Sequence, residues 1–179
     1  DIVDRNGNVL ATTTIADDGT ETRSYPYGNV FAHVIGYSDP ELGNTGLESV
    51  ENFELLTSNA FFLEKLQNQF TDSKNRGDTV VTTLDADLQQ AAYDALGDNR
   101  GAVVVMEAST GKILSMVSKP DYDPNTVLSD WSALNSDEEN SPLLNRATRG
   151  SYAPGSTFKI VTTLAFMRQN SNYADYTYD

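Results

Sequence analysis

Ala102-Val103-Val104-Val105-Met106 is an unbroken apolar run, and a second apolar run over residues 113–117 follows it across Ser109-Thr110-Gly111-Lys112. Branching at Cβ stiffens valine and favours extended backbone. A Thr-Gly pair between two such runs predicts a hairpin turn. The first arm is apolar on both faces, which predicts an inner strand covered on each side, as between two helical layers.

Helices and strands are predicted around this hairpin. Thr79, Val80, Val81, Thr82 and Thr83 read as a strand, and Asp85 is placed to cap a helix with Leu84, Leu88, Ala91, Ala92, Ala95 and Leu96 on its apolar side. Gly97 is placed to stop that helix. Near the start, Asn6-Gly7 predicts a tight hairpin; a polar patch at Asp17, Asp18, Gly19 and Thr20 follows, and residues 31–37 read as a short strand. Leu47, Val50, Phe53 or Glu54, and Leu55 step at helical intervals, and so do Phe62, Leu63, Leu66 and Phe70. Lys74, Asn75, Arg76 and Gly77 form a polar hinge, which divides the chain into residues 1–77 and 78–179. Residues 120–142 are polar, broken by Pro124, and read as a surface excursion.

Composition excludes several classes of function. A net charge of -14 opposes nucleic acid and anionic lipid as partners. There is no cysteine, hence no disulfide and no thiolate metal site. Asp130, Asp137, Glu138 and Glu139 are spaced irregularly, and the one histidine, His33, is remote in sequence, so these acids read as a solvated face and no metal or other cofactor is expected. No apolar stretch approaches the roughly 20 residues that cross a bilayer.

Chemistry is concentrated at Pro154-Gly155-Ser156-Thr157-Phe158-Lys159, which leads into the apolar positions Ile160, Val161, Leu164, Ala165 and Met167. Pro154 and Gly155 cannot extend a helix backwards, so the pattern predicts a helix beginning near Ser156. Residues three apart on a helix are neighbours, which brings a hydroxyl nucleophile and an amine base together. Unpaired amides and the positive helix end would stabilise an alkoxide and a developing oxyanion. The same two residues would serve equally as a capping serine and a solvated lysine. Spacing does not decide, since about one Ser-x-x-Lys is expected by chance in such a length, and Ser109-Thr110-Gly111-Lys112 is a second copy in a turn.

The run from Asn145-Arg146-Ala147-Thr148-Arg149-Gly150 through Ser151-Tyr152-Ala153 to Lys159 resembles the active-site serine region of penicillin-binding proteins, the D,D-transpeptidases that cross-link peptidoglycan. Asp4-Arg5-Asn6-Gly7, Tyr25-Pro26, Ala32-His33-Val34-Ile35-Gly36-Tyr37, Gly46-Leu47-Glu48, and Thr82-Thr83-Leu84-Asp85 with Leu88-Gln89 are similar, in order, to the class B, monofunctional members.

The resemblance implies an α+β chain. Residues 1–77 would be a non-catalytic pedestal and residues 78–179 the start of a transpeptidase domain, an antiparallel sheet flanked by helices. It implies Ser156 as nucleophile and backbone oxyanion donor, and Lys159 as general base, its pKa lowered from the ordinary value of about 10.4. Peptidoglycan stem peptides ending in D-Ala-D-Ala, and β-lactams that mimic them, would be the ligands, with cell-wall assembly proteins as further partners. The location implied is the outer face of the bacterial membrane, held by a helix ahead of Asp1.

The family's Ser-x-Asn and Lys-Thr/Ser-Gly motifs do not follow Lys159, and Ser73-Lys74-Asn75 lies too early in the chain. The expectation is therefore a fragment, inactive alone, whose strand around Val104 has open edges that invite association. A pure pedestal or interaction module is the alternative. A carboxypeptidase, β-lactamase or penicillin sensor fits the motifs before the hinge less well.

Overall fold

The computed structural model describes residues 1–52, 55 and 77–177. The expected helical set at Phe62, Leu63, Leu66 and Phe70, the choice between Phe53 and Glu54, Ser73-Lys74-Asn75, and most of the hinge lie outside the described residues.

Strand β1 (Ile2–Val3) turns through Asn6-Gly7 into β2 (Val9–Ile15), pairing Ile2 with Ala11. Gly7 takes a positive φ of 88°, which a side chain would resist, and so supplies the predicted turn. Strand β3 (Glu21–Ser24) runs antiparallel to β2. Only the base of β2 is buried, at Leu10 and Ala11; its distal threonines and Ile15 are exposed.

Residues 31–37 depart from the expected strand. A 3-10 turn (Gly28–Phe31) runs directly into helix α1 (Ala32–Ile35). Phe31, Ala32 and Ile35 are buried together, as one helical face requires, and a short apolar run cannot by itself distinguish strand from helix. Gly36 ends the helix at φ 83°, and a Cβ there would lie 2.1 Å from the Thr45 carbonyl oxygen. That contact lets the end of α1 press against the start of α2 (Gly46–Val50), after the short pair β4 (Ser38–Asp39) and β5 (Gly43–Asn44).

Beneath α2, Glu48 is buried and faces Arg23. Its Oε1 accepts from Nε at 2.7 Å, while Nη2, equally near, is misaligned for a hydrogen bond. The pair therefore makes one hydrogen bond plus charge attraction.

Strand β6 (Val80–Val81) pairs parallel with β1, completing a sheet in the order β3-β2-β1-β6. Helix α3 (Ala86–Leu96) starts as predicted, with Asp85 Oδ1 accepting from Leu88 N at 3.1 Å, and Gly97 ends it at φ 55°. The predicted hairpin is also present: β7 (Gly101–Met106) pairs antiparallel with β8 (Ile113–Lys119) around Gly111 at φ 76°.

Strand β7 departs from one expectation, because among the described residues it is covered on one face only. Val104 is 44% and Met106 55% exposed, while the packing helices among the described residues, α3 and a short α5 (Arg146–Arg149), lie against the alternate positions. Among the described residues β7 pairs with β8 alone.

Residues 120–142 are likewise more ordered than a surface excursion. They contain α4 (Val127–Ser136), which buries Val127 and packs Trp131 and Leu134 against the core. Asn125 anchors the approach to α4: its side-chain amide accepts from Tyr25 N at 2.9 Å and donates to Tyr25 O at 3.0 Å. One core joins Ile2, Leu10, Phe31 and Ile35 to Leu84, Tyr122 and Val127 from later in the chain. Each large aliphatic or aromatic side chain so buried contributes about 2 kcal/mol.

Candidate active site

The Ser-x-x-Lys residues stand at the head of α6 (Lys159–Gln169). Ser156 lies in a preceding 3-10 turn (Gly155–Phe158) that continues into that helix, and its carbonyl oxygen accepts from Lys159 N. Gly155 allows the entry at φ 52°. The turn is held by Thr157, whose Oγ1 and N both donate to Pro154 O, at 2.5 and 3.2 Å. Ser156 does not act as a capping side chain.

Both side chains are exposed, and among the described residues no hydrogen bond joins them. The apolar positions of α6 are exposed too: Ile160 67%, Val161 53% and Leu164 56%. Hydroxyl and amine thus stand at one helix end, one turn apart, on an element whose apolar side is uncovered among the described residues.

The segment that leads to Ser156 is anchored more firmly. Arg146 is buried and, among the described residues, has no carboxylate partner; its guanidinium donates to the carbonyl oxygens of Pro120 (3.5 Å), Ser141 (3.2 Å), Leu144 (3.4 Å) and Asn140, and its backbone N–H donates to Ser118 Oγ at 2.9 Å. Asn145 Nδ2 donates to His33 O at 3.0 Å, and Asn145 Oδ1 accepts from Ala147 N to cap α5. His33 Nε2 lies 3.2 Å from the same Pro120 oxygen, and burial pulls its pKa below the ordinary histidine value. Past α5, a Cβ on Gly150 would lie 2.5 Å from both Arg146 O and the Tyr152 ring, so this turn admits glycine alone.

In the sequence Asn145, Arg146 and His33 carry the family resemblance, and nothing in their spacing predicts these anchoring contacts. A polar residue destined for burial has no local signature in a single sequence, because its partners are remote. A cavity between α1, α2 and α5 does not contain Ser156 or Lys159.

The penicillin binding protein transpeptidase domain family matches residues 101–179, and the penicillin binding protein A dimerisation domain family matches residues 1–80. Peptidoglycan D,D-transpeptidase PbpA of Mycolicibacterium smegmatis is 40% identical over 90% of this chain and 36% of its own length. Peptidoglycan D,D-transpeptidase MrdA of Escherichia coli is 34% identical over 79% of this chain and 28% of its own. Among solved structures, penicillin-binding protein A from M. tuberculosis as an imipenem acyl-enzyme complex superposes with a TM-score of 0.84. It has 37% identity, over 94% of this chain and 42% of that one. With both domain families matched in order, the chain belongs to the class B penicillin-binding proteins. It spans about a third of the length of the curated relatives it matches.

Proposed function

We propose that this chain is part of a peptidoglycan D,D-transpeptidase that binds penicillin, with Ser156 as the acylated nucleophile and Lys159 as its general base. The observation that carries this is Ser156 and Lys159 at the head of α6, in a chain 37% identical to a protein solved as its imipenem acyl-enzyme. Ser156 Oγ would attack the carbonyl carbon of the penultimate D-Ala, passing its proton to Lys159 Nζ. The C–N bond to the terminal D-Ala breaks, and that amine leaves with the proton. The Ser156 amide would donate to the oxyanion. An amine of a neighbouring stem peptide then attacks the ester, forms the cross-link and frees the serine.

In this reading residues 1–77 form the pedestal and residues 78–179 the beginning of the transpeptidase domain. The parent protein works on the outer face of the membrane, beside cell-wall assembly proteins. Among the described residues no helix is long and apolar enough to cross a membrane.

Labelling the parent protein with fluorescent penicillin and locating the adduct by mass spectrometry tests the assignment. We expect modification at Ser156, loss of labelling in Ser156→Ala, and a fall of at least about 100-fold in acylation rate in Lys159→Met. An adduct on any other residue would refute it. The chain alone, with both side chains in solvent, should not label.

The match of residues 1–80 to a dimerisation domain favours a second role, in which this part also serves as an interaction module. Sedimentation of the chain against protein concentration tests it.

A further inference from the structure

The cavity between α1, α2 and α5 has a volume of about 630 Å³, within the range of roughly 300 to 1,000 Å³ typical of sites for small ligands. Its charge is unusual for this protein. The chain carries 26 acidic residues, yet among the described residues no Asp or Glu lines the cavity, and the exposed Arg149 does. Among the described residues the Arg149 guanidinium makes no hydrogen bond or ion pair.

The back of the cavity is aromatic. Tyr122 packs edge-on against His33 and Tyr37, with ring centroids 5.4 and 6.0 Å away. Tyr122 donates to Ala32 O at 3.2 Å, and burial pushes its pKa up to about 12. Burial raises Tyr37 as well, so neither phenol brings negative charge. Leu47 and Leu143 add apolar wall, and Thr148 adds a hydroxyl beside Arg149.

We propose that this cavity binds a small organic acid, its single carboxylate held by Arg149 and its flat or apolar body seated against the wall of His33, Tyr37 and Tyr122. An unpaired guanidinium offers a planar fork that matches a carboxylate, and the wall would reward burial of an aromatic or aliphatic body. A cationic ligand would be repelled by Arg149, and a neutral one would gain no charge-assisted contact from it. The site is separate from Ser156, and Asn145 on its lining connects it to the segment that leads there.

Titration of the 15N-labelled chain with hippurate, followed through the Asn145 and Thr148 amide signals, tests this. We expect saturable shifts with hippurate, much weaker ones with hippuramide, which lacks the charge, and with acetate, which lacks the body. Arg149→Gln should weaken hippurate binding about tenfold, the loss of a charge-assisted contact. Arg149→Lys should keep part of the affinity. Arg168→Gln, which changes net charge equally on the exposed face of α6, should keep all of it. Absence of saturable hippurate shifts, equal binding of hippuramide or acetate, or equal losses in Arg149→Gln and Arg168→Gln would overturn the proposal. Unchanged thermal melting of the variants separates these outcomes from misfolding.

Discussion

Gln89 and Met116 exchange two hydrogen bonds: the Gln89 side-chain amide donates to Met116 O at 2.9 Å and accepts from Met116 N at 2.8 Å. The amide thus takes the place of a neighbouring strand at that point of β8. It also donates to Val30 O at 2.8 Å and accepts from Ser115 Oγ at 2.8 Å, so this fully buried group makes four hydrogen bonds. Asn125 does the same for Tyr25 with two. These amides tie the early part of the chain to the later part.

Gln89→Leu keeps the volume and strands the donors and acceptors around it. The expected loss is about 3 kcal/mol, from several unsatisfied buried groups at once. Asn125→Ala, at an exposed residue, should lose about 1 kcal/mol. Urea unfolding checks both: the midpoint should fall with an unchanged slope.

Gly36 and Gly43 share nearly the same backbone, φ 83° and 81°, in different surroundings. A Cβ at Gly36 meets the Thr45 carbonyl at 2.1 Å; one at Gly43 meets nothing within 4 Å. Gly43→Ala should therefore lose only the conformational term, about 1 kcal/mol. Gly36→Ala should lose more than about 3 kcal/mol, because backbone has to move. Equal melting temperatures for the two variants would contradict this.

Asp4 is wholly buried at the turn after β1. Burial raises its carboxyl pKa, but hydrogen bonds from the Asn8 side chain and from the amides of Asn8, Ala86 and Asn6 outweigh that and hold it below 3.8. A depressed folded pKa means that the unfolded chain binds protons first as pH falls. The stabilisation is therefore complete above the unfolded value and is lost as pH falls through the folded one. Asp4→Asn should lower the melting temperature at neutral pH and flatten its decline below about pH 4.

His33 titrates in a different window. Burial depresses its pKa below 6.5, so the unfolded state takes up its proton before the folded state does. Stability from this residue is full above about pH 6.5 and falls as pH drops from there to the depressed folded value. Melting temperature measured from about pH 8 to 5 should fall with acidity, and His33→Gln should remove that part of the slope. A slope unchanged in the variant would contradict the assignment.

Elements built from neighbours in sequence were legible without coordinates. The β7–β8 hairpin, the Asp85 cap, the stop at Gly97 and the helix that carries Lys159 each rest on contacts within a few residues, so residue type and spacing specify them. The candidate pair Ser156 and Lys159 was visible for the same reason.

What remained hidden depends on chain segments far apart. Only the packed fold makes Phe31 the end of a 3-10 turn and residues 32–35 a helix, with their apolar side chains buried together and Gly36 close against the Thr45 carbonyl. Only the fold sets β6 beside β1 and brings Gln89 to Met116, Asn125 to Tyr25 and Asn145 to His33. Local preference cannot anticipate such pairs, since a buried polar group is satisfied by partners that meet only when the core closes.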